Sequence, residues 1–119
     1  MTNTEYIRNS LLEHCGLIPR KILPDLNSLR TTEWSAQFEQ LMRNRLVMGG
    51  IRYGLLHSAN KPQYDRIASV IKRVTEYKAT GNMELLVDAA NLCLLEFEEG
   101  NHPNRHFKAK DDAEHVEKR

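Results

Sequence analysis

The sequence predicts an all-α fold, a compact bundle of about four helices built around a central antiparallel helix hairpin. Apolar residues recur every three to four positions through most of the chain, which is the period of an α-helix. No stretch of useful length alternates apolar and polar residues as a strand does. Glycine and proline cluster between the periodic segments, where they end helices. These observations together favour a helical bundle.

The first half of the chain contains two predicted helices. The first spans residues 4–15, and a connector with two prolines follows it. The second begins at Thr31 or Thr32 and runs to about Met48. Its predicted apolar face consists of Trp34, Phe38, Leu41 and Met42.

The central hairpin is predicted at about 63–79 and about 83–99. The junction Thr80-Gly81-Asn82 between the two helices is short, so they should be antiparallel neighbours. The first helix repeats apolar residues at helical spacing, and Arg73 is expected to face outwards. That apolar set is Ile67, Val70, Ile71, Val74 and Tyr77. The second helix is apolar almost all round, which places it at the centre of the fold or in a dimer interface.

One domain, residues 1–107, is expected to precede a charged flexible tail, residues 108–119. No apolar run approaches the ~20 residues that cross a bilayer, and the N-terminus lacks the pattern of a secretion signal. A cytoplasmic protein without a membrane partner is therefore predicted. Cys15 and Cys93 form no C-x-x-C pair and are interpreted as buried, reduced thiols.

Charge is unevenly distributed, although the net charge is only +1, which gives no strong sign of nucleic-acid binding. Residues 43–78 contain eight basic and two acidic side chains, whereas residues 79–100 contain five acidic and no basic ones. The two segments either complement each other as neighbours or form a site with acids for a metal and bases for a phosphate.

Glu84, Asp88 and Asn91 form the one polar stripe of the last helix. Carboxylates on one helix face can bind Mg²⁺ or Mn²⁺ and leave room for substrate phosphates. In that hypothesis Glu84 and Asp88 bind the metal, Glu39 supplies a further carboxylate and Asn91 orients the ligand. The alternatives are a solvated stripe, or a stripe paired with basic residues of the preceding helix.

Arg43, Arg45 and Arg52 are the candidate phosphate-binding residues of the same hypothesis. Arg45 falls within the apolar arc of its helix, so it either extends its charged end into water or needs an anionic partner. We predict a buried pair with an acidic residue of the last helix, and Asp88 is the first choice.

The stretches RNRLVMGGIRYG (43–54) and YDRIASVIKRVTEYKATGNMELLVDAANLCLLEFEEGNHPNRHF (64–107) resemble a group of short uncharacterised proteins of bacteria and their phages. The resemblance covers about the last two-thirds of the chain and implies no particular activity.

More loosely, MELLVDAANLCLLEF (83–97) is similar to the second acidic helix of MazG-like all-α nucleotide pyrophosphohydrolases. That resemblance implies a helical, oligomeric protein that cleaves nucleoside triphosphates with Mg²⁺. Asp88 matches the acidic position of the family's E-x-x-D motif, whereas position 85 is leucine and the nearest glutamate is Glu84. The E-x-x-E helix of the family has no counterpart in this chain.

Two functional hypotheses follow. The first is a protein-interaction module, of the adaptor or inhibitor kind that phages encode, which forms a homo-oligomer or docks on a protein partner. The alternative is a metal-dependent nucleotide-binding protein or pyrophosphohydrolase.

Overall fold

The computed structural model describes residues 25–58, 63–109 and 115–118. The predicted helix 4–15, Cys15 and part of the predicted tail lie outside these residues. The described residues form four α-helices and no strand: α1 (Leu26–Thr32), α2 (Ala36–Tyr53), α3 (Arg66–Thr80) and α4 (Glu84–Glu99). The predicted all-α class is therefore confirmed. No helix in the described ranges has both the length and the apolar character needed to span a bilayer.

The helices α2, α3 and α4 belong to one compact unit, residues 35–105. The short helix α1 lies outside this unit and occupies part of the predicted proline-containing connector. Its N-cap is Asp25, whose carboxylate accepts a hydrogen bond from the backbone N–H of Ser28.

The helix α2 begins later and ends later than the sequence predicted. Its N-cap is Ser35, whose hydroxyl accepts a hydrogen bond from the N–H of Phe38, so the predicted start at Thr31 or Thr32 is wrong. The helix continues through Gly49 and Gly50 to Tyr53. It stops at Gly54, where φ is +103°, a conformation that side chains disfavour.

The predicted hairpin of α3 and α4 is confirmed. Asp65 caps the start of α3 by accepting a hydrogen bond from the N–H of Ala68. Gly81 ends α3 in the left-handed conformation, at φ +74°. Ion pairs of Arg73 with Asp88 and of Arg66 with Glu96 show that the two helices run antiparallel.

The helix α4 lies at the centre of the unit, because it packs against both α3 and α2. All the buried residues of the described ranges are on it: Val87, Ala89 and Asn91. The nearly continuous apolar surface of this helix predicted a place at the centre of the fold or in a dimer interface, and the structure shows the first.

Several predicted core residues lie at the surface instead. Trp34 and Leu41 are exposed, whereas Phe38 and Met42 of the same predicted face are half-buried. Cys93 is exposed on α4, so its predicted burial is wrong. Among the described residues, α2 and α3 pack against α4 and leave its Cys93 and Phe97 exposed.

On α3, periodicity did not identify the packed face correctly. Val70 and Tyr77 are half-buried, but Ile67, Ile71 and Val74 are exposed. Arg73, expected to face outwards, is half-buried and lies beside Asp88. At 100° per residue, the exposed apolar residues are centred about 100° round the helix from the packed face, which contains Val70, Arg73 and Tyr77.

Substituting two glycines by alanine should change stability in opposite directions. An added Cβ meets nothing within 4 Å at either Gly81 or Gly49, so neither change creates a clash. Gly81→Ala should lower the free energy of unfolding by about 1–2 kcal/mol, since its φ is positive. Gly49→Ala should raise it by up to about 1 kcal/mol, because Gly49 is inside a helix. Urea unfolding of both variants checks the signs; losses in both would contradict this account.

Candidate functional site

A groove of about 480 Å³ lies between α2 and α3. Residues of these two helices form its walls, and Asp88, Asn91, Leu92 and Leu95 of α4 form its floor. Both wall helices pack on α4. The volume is within the range of about 300–1,000 Å³ that is typical of small-molecule sites.

Four arginines line the groove among the described residues, two from each wall. Arg45 and Arg52 come from α2, and Arg66 and Arg73 come from α3. The members of each pair are seven residues apart, so they lie on one face of their helix, about 10 Å apart along its axis. Asp88 is the one carboxylate among the described lining residues. Glu84, Glu96 and Glu99, which do not line the groove, also pair with Arg45 and Arg66, so carboxylates of α4 compensate much of the positive charge of the lining.

Asp88 is shared by an arginine from each wall. Arg45 Nε lies 3.5 Å from Asp88 Oδ1, and Arg73 Nε lies 3.8 Å from Asp88 Oδ2. Arg45 Nη1 is also 3.5 Å from Glu84 Oε1. The predicted partner of Arg45 is thus confirmed, but the pair is not buried: 36% of the Arg45 side chain and 25% of the Asp88 side chain are exposed.

Asn91 is the buried polar residue of the groove floor, 6% exposed. Its Nδ2 donates a hydrogen bond of 3.0 Å to the carbonyl oxygen of Met42 and so ties α4 to α2. No donor among the described residues reaches Asn91 Oδ1, which is also buried. Asp88 and Asn91 of the stripe therefore face the arginines and the backbone of neighbouring helices, whereas the Glu84 side chain is 55% exposed.

The structure brings Glu84 and Asp88 together around Arg45, but Glu39 lies six residues before Arg45 on α2, about 9 Å along the helix axis. Glu39 Oε1 is 2.9 Å from Arg43 Nη2. Within the described residues, no three His, Cys, Asp or Glu side chains cluster in a way that could hold a metal ion. Arg43 is 70% exposed and does not line the groove.

At the other end of α3, Arg66 holds the C-terminal end of α4. Its guanidinium lies 3.7 Å from Glu96 Oε2 and donates a hydrogen bond of 3.3 Å to Glu99 Oε1. The second oxygen of Glu99 accepts the backbone N–H of His57 at 3.2 Å. One carboxylate thus joins α3, α4 and the segment that follows α2, which fixes the shape of this end of the groove.

Aromatic rings line the same end. The rings of Tyr53 and Tyr64 meet edge to face, with centroids 6.0 Å apart. The guanidinium carbon of Arg52 lies 5.7 Å from the centroid of the Tyr53 ring, within cation–π distance. The groove therefore has a tyrosine end, with Arg52 and Arg66, and an Asp88 end, with Arg45 and Arg73.

Sequence reasoning found half of the arginines of this groove. It selected Arg45 and Arg52, missed Arg66 and Arg73, and also included Arg43, which the structure places outside the groove. A usable signal existed, since the basic pairs 45/52 and 66/73 share the seven-residue spacing of one helix face.

Comparison of the chain with family models, curated proteins and solved structures gives no match.

Proposed function

We propose that the protein is an interaction module that associates with a second copy of itself through α3. The supporting observation is the apolar stripe of Ile67, Ile71 and Val74, which are 51%, 59% and 42% exposed in the single chain. Contiguous apolar patches on a protein surface usually mark interaction sites.

The spacing of the stripe suits a helix as the partner. Ile67, Ile71, Val74 and Lys78 follow the alternating four- and three-residue steps of a coiled-coil seam. The seam is short, so we expect association in the micromolar range rather than an obligate dimer.

The charges at the two ends of α3 favour a second copy in the antiparallel orientation. Asp65 caps the N-terminal end and Lys78 is in the last turn. In an antiparallel pair centred on Ile71, Lys78 of one copy comes to the axial level of Asp65 of the other, which lies about 150° round the helix from the stripe, so their attraction acts over a distance and not through contact. Opposed helix dipoles add to this attraction.

The carboxylates support an interaction module over the metal-dependent enzyme that the sequence offered as the alternative. Glu84 and Asp88 lie within 3.5 Å of the Arg45 guanidinium, which already supplies the positive charge that a metal would bring. A magnesium ion would have to displace Arg45 and Arg73 before both carboxylates could bind it.

Analytical ultracentrifugation tests the proposal. At about 50 μM the wild-type chain should sediment with a concentration-dependent dimer fraction. Ile71→Glu should sediment as a monomer, because a carboxylate from each copy then meets the other at the centre of the apolar stripe. Ile51→Glu is the matched control: Ile51 is 83% exposed on α2 and outside the stripe, so this variant should dimerise as wild type does. A monomeric wild type, or equal loss of dimer in both variants, would overturn the proposal.

A further inference from the structure

We propose that the groove between α2 and α3 binds a small organic phosphate that carries a flat aromatic group, the chemical class to which nucleoside phosphates belong. The inference rests on the lining of the groove and does not depend on self-association through α3.

The guanidinium groups of the lining favour an anion. Four of them line the groove from both walls; Arg45, Arg66 and Arg73 pair with carboxylates of α4 at distances of 3.3 to 3.8 Å, and Arg52 is in no ion pair among the described residues. Guanidinium groups bind phosphate through paired N–H donors. An anion in this groove would therefore be contacted from both sides.

The arginines retain donor capacity for such a ligand. The distances from Asp88 to Arg45 and Arg73 are 3.5 and 3.8 Å, longer than the roughly 2.7–2.9 Å of a charge-assisted hydrogen bond. No ion pair among the described residues includes Arg52, whose neighbour is the Tyr53 ring. Several N–H groups are thus available without breaking a short hydrogen bond.

The rest of the lining favours an organic ligand over a bare phosphate ion. Tyr53 and Tyr64 provide an aromatic surface at one end. Leu92 and Leu95 provide an apolar floor. The two ends are about 10 Å apart, as the spacing of Arg66 and Arg73 on α3 indicates.

Asp88 gives the proposal its sharpest test. With the phosphate between Arg45 and Arg73, the Asp88 carboxylate repels it, so Asp88→Asn should tighten binding. In a metal site that uses Asp88, the same variant would weaken binding. The direction of the change therefore separates a guanidinium site from a carboxylate–metal site.

The experiment is isothermal titration calorimetry of the full chain with AMP, adenosine and inorganic phosphate, each titrated once with EDTA and once with excess Mg²⁺. AMP should bind, with an affinity that falls as salt is added. Adenosine and inorganic phosphate should each bind at least about tenfold more weakly. Asp88→Asn should raise the AMP affinity several-fold, and Arg73→Gln should lower it by about tenfold.

Two further variants control for folding and for general charge. Arg52→Gln removes an exposed guanidinium that has no described ion pair, so it should weaken AMP binding without loss of helicity. Arg43→Gln removes an equal charge from the same helix outside the groove and should leave binding unchanged. The proposal fails if AMP gives no binding heat, if inorganic phosphate binds as well as AMP, or if Arg43→Gln weakens binding as much as Arg52→Gln.

Discussion

Val87→Asp should lower the free energy of unfolding by about 3–5 kcal/mol, because it places an unpaired charge in the most buried position described. Val87 is 4% exposed on the central helix α4. The carboxylate would lose its hydration without gaining a partner. Urea unfolding followed by far-UV circular dichroism measures the loss.

Cys93→Asp is the matched control on the same helix. Cys93 is exposed, so its replacement keeps the new carboxylate in water and should cost less than about 1 kcal/mol. Similar losses in the two variants would mean that the packed side of α4 has been wrongly identified.

The hairpin was predictable because its determinants are local in sequence. Long apolar periodicity specifies α3 and α4, and the short junction at Gly81 leaves them no arrangement other than antiparallel neighbours.

The end of α2 was less predictable. Glycine lowers helix propensity by about 1 kcal/mol relative to alanine, yet Gly49 and Gly50 are inside the helix, and it ends at Gly54, whose φ is positive.

The packed face of a helix is harder to predict, because it depends on how many neighbours the helix has. Ile67 and Ile71 fit an apolar arc on α3, but in the single chain α3 packs mainly against α4, which covers only part of its surface. The arc that packs includes Arg73, a residue that periodicity assigns to solvent. Arg73 is accommodated there because the groove keeps its guanidinium partly hydrated and Asp88 faces it.

The candidate site was predictable as a set of charges but not as an arrangement. The segregation of basic residues before position 79 and acidic residues after it does reflect complementary neighbours, since Arg45, Arg66 and Arg73 each face a carboxylate of α4. Which carboxylates would share an arginine could not be derived from one-dimensional spacing. The pairing of Glu84 and Asp88 with Arg45 depends on the angle at which α2 crosses α4. The hydrogen bond from Asn91 to the Met42 carbonyl helps to set this angle.

Asn91→Asp should destabilise the fold by about 2–4 kcal/mol at neutral pH, although the two side chains have nearly the same shape. Asn91 is only 6% exposed, and its Nδ2 donates a hydrogen bond to the carbonyl oxygen of Met42. An ionised carboxylate has no proton to donate, so one of its oxygens would lie against this carbonyl oxygen and repel it. Burial raises the pKa of such a carboxyl group above the unfolded value of about 3.9. The folded variant then binds more protons than the unfolded one between the two pKa values, so its stability falls as pH rises through that window.

Urea unfolding of wild type and variant between about pH 3.5 and pH 8 tests both the size and the sign of this effect. The deficit should be smallest near the unfolded pKa, where the protonated carboxyl group can donate its O–H to the Met42 carbonyl, and should grow as pH rises. The control is Asn44→Asp on the exposed surface of α2. Asn44 accepts a hydrogen bond of 2.8 Å from Gln40 Nε2, which a carboxylate accepts equally well, so this change should cost little at any pH. A deficit in Asn91→Asp that is constant with pH, or no larger than that of Asn44→Asp, would show that the hydrogen bond from α4 to Met42 does not hold α2 in place.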